Sequence, residues 1–156
     1  FEGATINTPS LLVIEDAIDA LSWAEEIGGI EALLKRVDTS FAHFMDWVGA
    51  SPHFEVLARD PATISPTALC LVISDDWFTA QPDEVQAGVV KSMLALLEAE
   101  DVAVDINAYR DAPTGLRIWG GPTVDPEDIA SLLPWLDWAY ETVRADLQDG
   151  SPHGDG

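Results

Sequence analysis

The five residues Gly115-Leu-Arg-Ile-Trp119 alternate apolar and other side chains with the period of a β-strand. In an extended strand Leu116 and Ile118 share one face, while Gly115, Arg117 and Trp119 share the other. Arg117 therefore leaves the core side. Gly115 removes a side chain next to it, so a small ligand can approach backbone and guanidinium together. A guanidinium takes a carboxylate or phosphate through two parallel hydrogen bonds, which a lysine cannot reproduce. A surface ion pair with one of the chain's own acids stands beside this reading as its alternative.

Outward from that strand, "VAVDI" (Val102 to Ile106), "TALCLVI" (Thr67 to Ile73) and "FEVLA" (Phe54 to Ala58) are short, apolar or β-branched runs separated by turn residues. All three read as strands. Cys70, inside the second, reads as a small buried hydrophobe. Val85, Val89, Val90, Met93, Leu94, Leu96 and Leu97 form the apolar side of a helix between about Asp83 and Glu100. Asp125-Pro126-Glu127-Asp128 opens a last helix reaching about Leu147, with Pro134 expected to kink or split it.

The first fifty residues carry no strand pattern. Thr8 is placed to cap a helix, with Pro9 at its first position, and Gly28-Gly29 to stop it. A second helix follows to about Gly49, its apolar side formed by Ile30, Leu33, Leu34, Val37, Phe41, Phe44 and Val48. The fold class expected is α+β: a helical segment over residues 1–50, then a small domain over 51–148. That domain is a sandwich of a mainly antiparallel four-stranded sheet with helices on one face. Residues 149–156 have nothing to bury and are expected to be disordered.

Acidic residues outnumber basic ones by 28 to 7, for a formal charge of −21. That charge argues against nucleic-acid phosphate and against anionic membrane surfaces as partners. The carboxylates are spread along the chain, as on a solvated acidic surface. No apolar run approaches the ~18 residues of a spanning helix. A lone cysteine gives no internal disulfide. The chain opens on Phe1, which we take as the mark of a processed product or a piece of something longer.

Metal-type spacing is missing around His43, His53 and His153, and there is no nucleophile elbow, P-loop or G-x-G-x-x-G. His43 reads as structural, and the six tryptophans read as core or subunit-interface packing. Asn7-Thr8-Pro9-Ser10, at a helix start, offers free amides and hydroxyls that suit a phosphate.

"TINTPS", "EDAIDALSWAEEIGG", "DPATISPTALCLVI", "VDINAYRDAPTGLRIWGGPTV" and "PWLDWA" together resemble the C-terminal part of the phosphoserine aminotransferase family. The likeness runs from about Thr5 to Ala145. It implies the small C-terminal domain of a fold-type I, pyridoxal-phosphate-dependent aminotransferase that is cytoplasmic and homodimeric. Its reaction moves an amino group from glutamate to 3-phosphohydroxypyruvate in serine biosynthesis.

Carried over by this resemblance, Arg117 clamps the substrate α-carboxylate and Arg110 lies near the residue for the substrate phosphate. Asn7 and Thr8 reach the cofactor phosphate of the other subunit. The family's Schiff-base lysine has no match, since Lys35 and Lys91 both sit in amphipathic helices. No catalytic residue is therefore assigned in this chain, which alone is expected to be inactive. Another transaminase of the fold, such as an alanine–glyoxylate aminotransferase, and a non-catalytic acidic interaction module are the competing functions.

Overall fold

The computed structural model describes Thr8 and residues 10–150. Helix α1 spans Leu11–Glu26, with Ser10 in the cap position making no side-chain capping bond. The helix thus starts beyond the expected Thr8 cap; Asn7 and Pro9 lie outside the described residues, as does the tail from Ser151. Gly28 and Gly29 take φ values of 114° and 71°. That left-handed backbone, cheap only for glycine, ends α1 and lets α2 begin at once over Gly29–Ala50.

The two helices differ in what they bury. Val37, Ser40 and Phe44 of α2 are buried, whereas α1 buries no residue and exposes Leu11, Leu12, Val13 and Leu21. Arg36 of α2 lies 5.9 Å from the centre of the Trp23 ring. It also donates to the Pro122 carbonyl at 2.7 Å and pairs with Asp125, fixing α2 to the start of the last helix.

Strands β1 (Phe54–Val56), β2 (Ala68–Ile73) and β3 (Leu116–Trp119) form an antiparallel sheet in that order. The register sets Phe54 opposite Ile73, Leu69 opposite Ile118 and Cys70 opposite Arg117. Three strands stand where four were expected. Asp101 and Asp105 both adopt φ of 56°, a left-handed conformation that aspartate tolerates and an extended strand does not. "VAVDI" is therefore an irregular loop, and Val104 points to solvent. What survives of the pairing is a single bridge from Asn107 to Leu116, flanked by the Arg117 N–H bonded to the Ile106 carbonyl at 2.8 Å.

One sheet face is closed by α4 (Asp83–Ala99) and α5 (Pro126–Gln148), with Phe44 of α2 completing the core. Leu69, Leu71, Ile73, Leu116 and Ile118 meet Val89, Met93 and Leu97 of α4 and Ile129, Leu136 and Val143 of α5. Each such residue contributes about 1.5–3 kcal/mol of burial. The short helix α3 (Asp76–Thr79) between β2 and α4 was not expected; Asp75 caps it by accepting from the amides of Trp77 and Phe78. Helix α5 runs unbroken through Pro134, so of the expected kink or split the split does not occur. Pro134 is exposed, so the helical hydrogen bond that it removes lies on the outer side of α5 and not in the core. None of the tryptophans is fully buried; Trp135 and Trp138 form an edge-to-face pair at 5.3 Å on the outer side of α5.

Candidate anion site on the open face of the sheet

Because Leu116 and Ile118 are drawn into the core, Arg117 and Trp119 must project from the opposite face of β3. Ala68 and Cys70 of β2 lie across from Trp119 and Arg117 on that face. Cys70 is half-buried there, outside the core where it was expected. Arg117 is exposed, and among the described residues no acid lies within ion-pair distance of its guanidinium. Lys35, Arg59 and Lys91 are likewise unpaired but stand on helices and a loop; Arg117 projects from the sheet. A cleft of about 310 Å³ opens beside it, lined by Ala68, Asp105, Arg117, Ile118 and Trp119. A planar fork of donors with no internal partner, at the mouth of a cleft of this size, can take a carboxylate through two parallel hydrogen bonds.

Gly115 has a different role from the one its place in the sequence implies. A Cβ there would run into the Leu71 carbonyl oxygen, so the glycine permits close approach of β3 to β2. Arg110 stands on the turn closed by the Ala112 N–H bonded to the Tyr109 carbonyl, and among the described residues its only ion pair is with neighbouring Asp111 at 3.6 Å. It lines a separate cleft of about 230 Å³ with Lys91 and Val90 of α4. The structure therefore does not bring Arg110 and Arg117 into one pocket. Thr8 is exposed and outside the helix, and Asn7 lies outside the described residues. The described residues do not by themselves make a seat for pyridoxal phosphate: Lys35 and Lys91 are exposed on α2 and α4, and neither lines the Arg117 cleft.

A second polar cluster went unread in the sequence. His53, buried at the start of β1, sets Nδ1 3.4 Å from Asp75 and Nε2 3.3 Å from Glu141, with its ring against Tyr140 at 4.8 Å. Arg144 of α5 reaches Asp75 at 2.8 Å and lies over the Trp77 ring. Burial pushes the Asp75 carboxyl up, but the nearby Tyr140 hydroxyl, the amides of Phe78 and Trp77 and the Arg144 charge outweigh it and hold Asp75 below the usual carboxylate value. Burial, and then Asp75 itself, push the Tyr140 hydroxyl well up. This cluster joins β1, α3 and α5 behind the sheet and supports the fold. His43 is exposed on α2, and no group of three or more metal-type ligands occurs among the described residues.

These features define an α+β domain: an antiparallel sheet backed by helices on one face, with an unpaired guanidinium on the other. Over 144 residues, 92% of its length, the chain is 39% identical to a phosphoserine aminotransferase of Methanosarcina mazei and 40% identical to that of Methanosarcina barkeri. The chain is thus a relative of the phosphoserine aminotransferases, and it spans about a third (36%) of the length of these curated relatives. The fold matches solved structures of phosphoserine aminotransferases, among them that from Bacillus circulans subsp. alkalophilus. For that structure the TM-score is 0.71 at 18% identity, over 87% of this chain and 34% of the other. No family model matches the chain. No described helix is long and apolar enough to cross a membrane.

Proposed function

We propose that this chain is the C-terminal, substrate-gripping part of a phosphoserine aminotransferase, which transfers the amino group of glutamate to 3-phosphohydroxypyruvate in serine biosynthesis. The observation that carries the reading is the exposed Arg117 guanidinium, which pairs with no acid among the described residues in a charge background of −21. An arginine that stays unpaired among so many carboxylates is poised for an external one. Both amino donor and acceptor carry an α-carboxylate, so one clamp serves both half-reactions. The relatives bearing that enzyme's name supply the substrate class.

In this reading residues 1–50 come from the end of a larger, cofactor-bearing domain, and residues 51–148 are the small domain. The enzyme is a cytoplasmic homodimer using pyridoxal phosphate. Asn7 and Thr8 reach the cofactor phosphate of the other subunit, and Arg110 serves the substrate phosphate from a swing of its exposed side chain. The Schiff-base lysine lies outside this chain, which alone is inactive. What Arg117 does here is orient: it fixes the carboxylate and with it the angle at which the α-carbon is presented.

The test uses the full-length enzyme. Arg117→Ala lowers kcat/KM roughly 100- to 1,000-fold for both glutamate and phosphoserine, as expected for loss of a bidentate charged contact. Unchanged turnover of both substrates overturns the assignment. Arg110→Ala affects phosphoserine more than glutamate, and equal effects on both remove it from the phosphate subsite. Activity with glyoxylate and none with the phosphorylated acceptor selects the alanine–glyoxylate alternative.

A further inference from the structure

Trp119, the last residue of β3, is 58% exposed, an unusual expense of apolar area for a residue next to the buried Ile118. It shares the open face with Arg117 and lines the same cleft. Its indole is also seated: Gly121 is buried, and a Cβ on it would collide with the Cζ2–Cε2 edge of the Trp119 indole. Gly120 before it is buried too, and a Cβ there would press on the Leu69 side chain, so the backbone next to the ring is packed on its core side. The ring is thus held from below and left bare above.

The charge in the cleft explains why a bare ring is useful. Asp105, fixed in its left-handed conformation, faces the same space without pairing with Arg117, and it offsets part of the guanidinium's attraction for an anion. Charge alone then holds a carboxylate weakly, and apolar contact with the carbon chain behind that carboxylate adds what the ion pair lacks. We infer that Trp119 is a substrate-contacting wall of the Arg117 cleft, packing on the carbons next to the bound carboxylate, and that Gly121 is the positioning residue that seats its indole. The inference rests on the reading of Arg117 as the carboxylate clamp.

In the full-length enzyme, Trp119→Ala, Trp119→Phe, Gly121→Ala and Arg117→Ala are compared with glutamate as the varied substrate. Trp119→Ala raises KM roughly tenfold while kcat stays within about twofold, because the contact is equal in ground and transition states. Trp119→Phe, which keeps an aromatic wall, stays within about threefold of the parent, and Gly121→Ala, which displaces the ring, raises KM in the same direction as Trp119→Ala. An unchanged KM in Trp119→Ala beside a damaged Arg117→Ala overturns the wall and leaves the clamp standing. An effect of Trp119→Ala on kcat alone overturns it too. An unchanged KM in Arg117→Ala removes the clamp and the wall together. Should Trp119→Ala fail to fold, Gly121→Ala and Trp119→Phe decide: KM raised in the first and kept in the second supports the wall, and any other pattern overturns it.

Discussion

On β3, Leu116 and Ile118 are 1% and 3% exposed, whereas Trp119 on the same four-residue strand is 58% exposed. The packed face of the sheet is apolar without exception and sealed by α4 and α5. The open face carries Ala68, Cys70, Val72, Arg117 and Trp119, a mixture that serves packing poorly and recognition well. If the proposed clamp is right, one strand holds stability and binding in alternate positions, and a change at either parity should strike one property and spare the other.

The largest effect that could break this division is at Leu116. Truncation to alanine leaves a cavity between the sheet and its helices and costs about 2–5 kcal/mol by denaturant unfolding of the full-length protein. A loss below about 0.5 kcal/mol would mean the packed face is not the stabilising one. Next is Gly115→Ala, where the new methyl meets the Leu71 backbone oxygen and the strands must part; the expected cost is about 1–3 kcal/mol. No change in stability would show that β3 can move away from β2 without loss.

A smaller effect sharpens the comparison from behind the sheet. Asp75 has a depressed carboxyl value in the fold, so its stabilisation is full above its unfolded value of 3.8 and is lost as pH falls through the lower folded one. Asp75→Asn therefore flattens the acid limb of a stability-versus-pH curve and costs about 1 kcal/mol at neutral pH through the weakened α3 cap and the lost Arg144 pair. An acid limb identical to the parent's would remove Asp75 from the account. The smallest expected change is the most telling: Arg117→Ala alters stability by less than about 0.5 kcal/mol, since the side chain pairs with no acid among the described residues. A cost of several kcal/mol would make Arg117 a structural residue.

Much of this was legible from periodicity. The period-two pattern of Leu116 to Trp119 and the helical spacing of Val89, Val90, Met93 and Leu97 reflect burial on one side, and burial is what the structure finds. "VAVDI" shows the limit of the method, because its alternation is that of a strand while the backbone turns left-handed at Asp101 and Asp105. A conformational preference of single aspartates overrides a pattern summed over five residues. Pro134 fails in the opposite direction: a local breaker is overruled by the buried stripe of Ile129, Leu133, Leu136, Tyr140 and Val143 that runs along α5 on both sides of it. The His53 to Asp75 to Arg144 cluster could not be read at all, since its members come from three separate elements. At the site, Arg117 was visible from its own strand. That Cys70 faces it and that Arg110 does not join it depend on the register of β2 and on the fold of the Asn107–Gly115 loop.

The register that sets Cys70 opposite Arg117 has a practical consequence. The chain has a single cysteine, so a thiol-directed dye can attach at one place only, about 5 Å along the ladder from the guanidinium's backbone. Its emission would register occupancy of the proposed Arg117 clamp directly, giving an optical titration that needs no turnover.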